Sequence, residues 1–400
     1  MLARIGICVA SVVAASATVL VPIGVYGDGV AAAAVRRVDP PTMTARGVGQ
    51  PSPPAPDATA SVQAVQVRSS YETATRVIYR DIGLSVALPD GHDLWLFGDT
   101  NVWQHQSGHW TSKHFIDGSS ALEARYTRGQ VPHGGEYPTG TPAQFIPSPR
   151  NVYMPDGSGR LCVRGIGDAA FAARWPTGAA VMPTDTSDVL ITYSVVCVTS
   201  PPGGPQQQAE GWGYALYNWR TRHFDHGPTD VFKPPTSGAL FPTSDTFGSP
   251  VFADGNVTLF SSTCTAQYLG CGGGQVSSVS VPATTAALDN PSSYQLNQLS
   301  TDGSASWAPL SISVGRYASG LRLIEWTTIG GTYEIFSAAS VATPWHLDTA
   351  GTLPGCETHT GFCFALEGHP ELSTPSQIFV SYVDPNSGPL GHVVVSAVPD

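Results

Sequence analysis

The sequence is poor in charge. Only 12% of its residues are Asp, Glu, Lys or Arg, about half of the quarter usual in globular chains. No basic run occurs, and the formal net charge is −11. Nucleic acid is therefore not an expected partner, because phosphate contacts need clustered Lys and Arg. A neutral glycan matches this charge better than an anionic one. Several catalytic patterns are also missing. No Gly-x-Ser-x-Gly elbow precedes a helix, which speaks against Ser-His-Asp hydrolysis. The eleven histidines are scattered and no His-Glu-x-x-His occurs, which speaks against a metallohydrolase. His105 and His109 are four apart, but in a polar stretch read as a glycine-containing loop. Gly272-Gly273-Gly274 follows Cys271 rather than a strand, so it is no phosphate loop. No Cys-x-x-Cys pair suggests zinc. No cofactor is expected.

Amphipathic helices are nearly absent as well. What recurs is strand, turn, strand. Leu84 to Leu88 and Leu94 to Phe97 flank Asp90-Gly91. Asn151 to Met154 and Leu161 to Val163 flank Asp156-Gly157. Pro250 to Phe252 and Val257 to Phe260 flank Asp254-Gly255, and Leu321 to Trp326 and Tyr333 to Phe336 flank Gly330-Gly331. Ile378 to Val383 and Gly391 to Val395 flank Asn386-Ser387-Gly388. These turn residues supply positive φ at little steric cost. Further strands are expected at Val189 to Val198, Gly213 to Trp219 and Gln275 to Val281. The 43 glycines and 34 prolines suit many short strands. Five hairpins spread along the chain predict an all-β fold, a five-bladed β-propeller. A pair of sandwiches would need a central linker, for which the Pro-rich points at 201–205 and 234–235 are candidates. A β-helix would need a short regular period, and none is visible.

Arg4 precedes an apolar run from Ile5 to Leu20 that extends to Val25, followed by Ala31-Ala32-Ala33-Ala34. This pattern predicts an export signal over residues 1–34, with an uncleaved anchor as the rival. Cys8 lies inside the run, which does not suit a lipoprotein site. Residues 35–61 are rich in Pro, Ala, Ser and Thr, and Pro51-Ser52-Pro53-Pro54-Ala55-Pro56 reads as a disordered tether. The folded domain is placed at 62–400. Six cysteines remain beyond the signal, an even number that suggests disulfides in an exported chain. They permit fifteen connectivities. Local pairing of Cys264 with Cys271 and Cys356 with Cys363 is the simplest, and leaves Cys162 with Cys197.

The first hairpin carries the candidate chemistry. Asp81 stands before its first arm and Asp99 after its second, so an antiparallel pairing brings both to one end. Two carboxylates at one end of a sheet suit glycoside hydrolysis. Ordinary turn chemistry accounts for either Asp alone. Trp103 follows as a sugar-stacking candidate. Glu325, in Leu323-Ile324-Glu325-Trp326, is either a buried carboxyl of raised pKa or one that faces solvent or an Arg. Asp245 precedes a strand. Glu367 and Glu371 bracket Gly368-His369-Pro370, where His369 could meet a sugar hydroxyl or serve a turn.

Arg80-Asp81-Ile82-Gly83, a turn, then Leu96-Phe97-Gly98-Asp99-Thr100 resembles an exported bacterial family, formerly a domain of unknown function. Its characterised members are five-bladed propeller glycoside hydrolases, endo-D-arabinanases acting on mycobacterial-type arabinan. Trp175-Pro176-Thr177-Gly178, expected before a strand, Phe247-Gly248-Ser249-Pro250-Val251 and Gly368-His369-Pro370-Glu371-Leu372 resemble it more loosely. The resemblance implies Asp81 and Asp99 as the acid and base of an inverting hydrolysis; Thr100, Trp103, His369 and Glu325 are the candidate substrate contacts read from the residues themselves. It implies a secreted monomer acting on cell-wall arabinan (arabinogalactan or lipoarabinomannan), with no membrane contact once the signal is removed. A non-catalytic glycan-binding or protein-interaction propeller of the cell envelope is the alternative.

Overall fold

The computed structural model describes residues 64–154, 159–162, 170–199, 206–232, 247–267, 270–356, 363–384 and 392–400. The expected signal, the tether, both Pro-rich points and Asp245 lie outside them. Twenty-two strands run in chain order: β1 (Val65–Gln66), β2 (Arg76–Arg80), β3 (Leu84–Ala87), β4 (His92–Phe97), β5 (Thr100–Gln106), β6 (His109–Ile116) and β7 (Ser120–Arg125) come first. Then follow β8 (Phe171–Val181), β9 (Asp188–Thr199), β10 (Gln206–Asn218), β11 (His223–Phe232), β12 (Gly248–Ala253), β13 (Asn256–Gln267), β14 (Gly270–Pro282) and β15 (Gln295–Gln298). The last are β16 (Ser311–Tyr317), β17 (Gly320–Trp326), β18 (Thr332–Ala338), β19 (His346–Thr352), β20 (Phe364–Gly368), β21 (Gln377–Asp384) and β22 (His392–Pro399). Among the described residues the only helical pieces are Thr285–Leu288 and a 3-10 turn, Pro291–Ser293. The protein is nearly all β. No helix among them is long and apolar enough to cross a membrane.

Three sheets are antiparallel meanders of consecutive strands: β8 to β11, β12 to β15 and β16 to β19. A fourth joins β20, β21 and β22 to β1, so the start of the domain completes the sheet built by its end. The first region differs. Its six strands divide into two three-stranded sheets, β2-β5-β6 and β3-β4-β7. Burial grades across each meander. The β-branched and aromatic run of β9 is buried along almost its whole length, as expected of a strand covered on both faces. The last strand, β19, alternates exposed and half-buried residues, and β15 is exposed throughout.

The first strand of each meander packs on that of the next: β3 on β8, β8 on β12, β12 on β16 and β16 on β20. Ser381 Oγ donates to Gly83 O at 2.7 Å and returns the circuit to its start. Backbones approach closely here. A Cβ on Gly248 would collide with the Thr177 carbonyl, and one on Gly178 with the Ser249 amide. The apolar core fills the gaps between sheets, with Trp95, Phe97, Ile191, Ile335 and Val395 fully buried.

Four expected hairpins match β3–β4, β12–β13, β17–β18 and β21–β22, although the last turn lies outside the described residues. The second is a short pairing: Tyr153 bridges Leu161, Met154 N donates to Arg160 O at 2.8 Å and Cys162 N to Val152 O at 2.7 Å. Its Asp156-Gly157 turn lies outside the described residues, and the sheet that follows begins at Phe171. Trp175-Pro176-Thr177-Gly178 lies inside β8 rather than before a strand. The loop expected around His105 and His109 is a tight turn between β5 and β6, with Ser107 at φ 51° and Gly108 at φ 82°. Disulfides join Cys162 to Cys197, Cys264 to Cys271 and Cys356 to Cys363.

Candidate active site

Asp81 and Asp99 owe their meeting to the divided first region. The chain leaves sheet β2-β5-β6 at Arg80 and enters sheet β3-β4-β7 at Leu84. It crosses back between Phe97 and Thr100, and once more between Ile116 and Ser120. Asp81 sits in the first crossing and Asp99 in the second. Asp81 N donates to Asp99 O at 3.2 Å, and Gly98 N donates to Asp81 O at 2.7 Å. The third crossing supplies Gly118, whose N–H donates to Asp99 Oδ1 at 2.7 Å. From the next sheet, Trp175 Nε1 donates to the same oxygen at 3.0 Å.

The two carboxyls therefore differ. Asp99 receives two N–H donors, a setting suited to a carboxylate. Asp81 is fully buried, and neither of its oxygens has a well-aligned donor among the described residues. Burial, and then the charge of Asp99, hold the Asp81 carboxyl well above its ordinary range, with the amides of Asp81 and Asp99 opposing weakly. Burial and a like charge both disfavour ionisation. A protonated acid beside an ionised one is the division of labour that hydrolysis of an acetal needs.

Arg80 neighbours this pair without taking part in it. Its guanidinium is buried, donates to Tyr137 Oη at 2.6 Å, lies 3.5 Å from Glu72 Oε2 and sits 4.9 Å over the Phe97 ring. It ties the segment before β2 to β4. Gly98 is required by space, since a Cβ there would collide with Asp81 Oδ1. Gly98→Ala is expected to cost about 1–3 kcal/mol through overpacking, seen as a lower urea midpoint with an unchanged m-value.

The backbone is unusual at this level of the fold. Ile82, Ser249 and Ala365 adopt φ of 56°, 49° and 56°. Left-handed conformations of bulky residues are strained and gather at functional sites. Register shifts lie beside them, in β12 between Gly248 and Val251 and in β20 between Phe364 and Glu367. β8 shifts between Pro176 and Gly178. Two cavities adjoin these irregularities. One of about 50 Å³ is lined by residues that include Pro176, Thr177, Ser249, Ala365 and Glu367. One of about 330 Å³ is bordered by β3, β8, β12, β16 and β20. Asp81 and Asp99 line neither.

The expected substrate contacts are placed differently. Thr100 is fully buried, and its hydroxyl binds Gly98 O at 3.2 Å and Ser120 Oγ at 2.8 Å. Trp103 is only 3% exposed, in β5 between β2 and β6. Both are structural here, because neither side chain reaches solvent or a cavity. His369 is fully buried, with its ring 4.6 Å from that of Trp95 and Nδ1 2.5 Å from Ser85 Oγ. Ser85 Oγ also binds Glu371 Oε1. His369 thus joins β20 to β3, and it borders neither cavity. Asp93, not singled out in the sequence, is buried beside this cluster. Burial, then the charge of Glu371, push it up to about 8.

Glu325 neither faces solvent nor pairs with an Arg. It is fully buried, accepts from Ala308 N at 2.6 Å and borders neither cavity. Burial is the main cause that lifts its pKa from 4.5 to about 8. The unfolded chain releases this proton near 4.5 and the folded chain near 8. Between those values the folded state binds more protons, so the group destabilises it as pH rises. Glu325→Gln removes the effect and keeps an oxygen for the Ala308 amide. The variant should gain on the parent by up to about 1.4 kcal/mol per pH unit across that window, read from denaturant midpoints at several pH values. An equal gap at all pH values would show that Glu325 is not protonated in the fold. Among the described residues no group of three or more His, Cys, Asp or Glu could hold a metal.

No protein-family profile and no curated protein matches the chain. Solved structures similar to it include a putative hydrolase from Bacteroides ovatus, 13% identical, covering 80% of this chain and 85% of that one at a TM-score of 0.47. A GH43_1 enzyme from Xanthomonas citri is 10% identical, covers 84% and 90%, and scores 0.44. An α-L-arabinofuranosidase from Fusarium graminearum is 12% identical, covers 86% and 98%, and scores 0.38. Likeness at these scores transfers neither fold nor activity.

Proposed function

We propose that this chain is an exported five-bladed β-propeller glycoside hydrolase that cleaves arabinofuranosyl linkages in mycobacterial-type cell-wall arabinan. The observation that carries the reading is the asymmetric acid pair at the crossings of the first region. Burial and the charge of Asp99 raise the Asp81 pKa, while Asp99 gathers two N–H donors. In the reaction Asp81 protonates the glycosidic oxygen as the bond to C1 breaks. Asp99 takes a proton from the water that attacks C1 from the opposite face, which inverts the anomeric centre. The low charge density and absence of a basic run suit a neutral glycan as partner. Disulfides and the apolar N-terminal run suit an oxidising compartment outside the cytoplasm.

One observation favours a second reading. Asp81 and Asp99 are 0% and 2% exposed and border neither cavity, as in a propeller that binds envelope glycan without cutting it. Purified protein incubated with arabinogalactan distinguishes the two. Hydrolysis releases oligosaccharides whose newly formed anomer, read by proton NMR at early time, is inverted. Binding of the polymer without product supports the second reading, and neither binding nor product rejects both.

A further inference from the structure

Glu367 and Glu371 are the two acids that border the larger cavity, and Glu367 also borders the smaller one. Only Glu367 and Ser249 border both cavities, so the carboxyl stands where the two meet. It gets there through the break in β20. Ala365 takes φ 56°, the ladder slips between Phe364 and Glu367, and side-chain alternation is reset. A bulge of this kind re-aims a side chain. Across the seam Ser313 Oγ accepts from Gly368 N at 3.0 Å and is also a hydrogen-bond partner of Glu367. No Lys or Arg among the described residues pairs with Glu367, and burial lifts its pKa to about 8. A protonated carboxyl offers one donor and one acceptor, the same complement as a sugar hydroxyl.

The larger cavity supplies the rest of a sugar site. Its lining combines Leu84, Val86 and Phe252 with the polar Ser85, Ser313, Arg316 and Glu371, a mixture suited to the carbon face and hydroxyl edge of a monosaccharide ring. Its volume of about 330 Å³ falls at the small end of ligand cavities.

We propose that Glu367 is a specificity-determining contact, binding a ring hydroxyl of a neutral furanose seated in the cavity bordered by the five inner strands. This rests on the arabinan reading above. It assigns Glu367 to substrate binding and gives it no part in proton transfer.

The test is calorimetric binding of an arabinofuranose tetrasaccharide to the full chain, with steady-state kinetics on arabinan beside it. Glu367→Ala should weaken binding about tenfold or more and raise KM with kcat little changed, as for loss of one buried hydrogen-bonding contact. Glu367→Gln keeps a donor and an acceptor and should stay within about threefold of the parent. A merely structural Glu367 would move melting temperature without this split. Should Glu367→Ala not fold, Glu367→Met fills the same volume without the polar edge and takes its place. Unchanged binding in the apolar variant, or a Gln variant as weak as the apolar one, overturns the inference alone. Failure of the parent to bind the tetrasaccharide overturns both this inference and the arabinan reading.

Discussion

Replacing either Asp81 or Asp99 with Asn should lower arabinan hydrolysis by about 10²–10⁴-fold, the usual worth of one positioned proton-transfer group. The two losses should differ in kind. Asp81→Asn removes the proton donor, so an aryl arabinofuranoside with an acidic phenol leaving group should recover most of its rate. Asp99→Asn removes the acceptor for water, so the same aryl substrate should stay slow. Added azide, which needs no deprotonation, should restore turnover in that variant and give an inverted glycosyl azide. Asn is close to the acid in shape, and Asp81 is already held protonated by burial and its neighbour. The Asp81→Asn protein should therefore melt within a few degrees of the parent. Parent-like rates in both variants would make the pair structural, and the opposite aryl pattern would exchange the two roles.

The largest effect on stability is expected at Arg80. Arg80→Met leaves Glu72 buried without its cation and removes the donor to Tyr137 Oη. Breaking a buried ion pair from one side costs about 3–5 kcal/mol. The cost should appear in urea unfolding as a lower midpoint at constant slope. Arg80→Met combined with Glu72→Gln should recover part of the loss, since the uncompensated charge is then gone, and the cycle isolates the coupling. Glu72 keeps the amide of Ser69 at 2.7 Å and that of Ile78 at 3.3 Å, so recovery should be incomplete. A single-variant loss below about 1 kcal/mol, the range of exposed pairs, would show that the cluster is not coupled.

What the sequence revealed follows from the range of the interactions involved. Asp90-Gly91 and Asp254-Gly255 specify hairpins locally, so β3–β4 and β12–β13 could be read from them. The meeting of Asp81 and Asp99 was legible for the same reason, as both lie just past the ends of one hairpin. The division of that region into two sheets was not. It depends on β5 choosing β2 rather than a neighbour in β3-β4-β7, a choice made by distant partners. Trp103 and Thr100 look like site residues beside Asp99, yet both are buried in the fold. Glu367 could be named in the sequence but not ranked, because its exposure to the cavities depends on a slip in the β20–β21 ladder and on Ser313, far along the chain. Asp93 carried no signal at all. A lone Asp beside a turn differs from a surface residue only through the elements that cover it.

The pairing of β1 with β22 sets an order of events during folding. Val65 aligns with Val395, so the first strand made has to wait for the last. Contacts this remote in sequence carry a heavy loop-closure entropy and slow the search. Until the C-terminal strands emerge, β1 has no ladder, and β22 afterwards offers an unpaired edge to any passing chain. In the completed sheet β1 covers Val394 and Val395 of that edge. A proteolytic nick just after Gln66 would therefore do more than shorten the domain. It would restore a templating surface, and the clipped protein should associate with itself at concentrations where the intact chain stays apart.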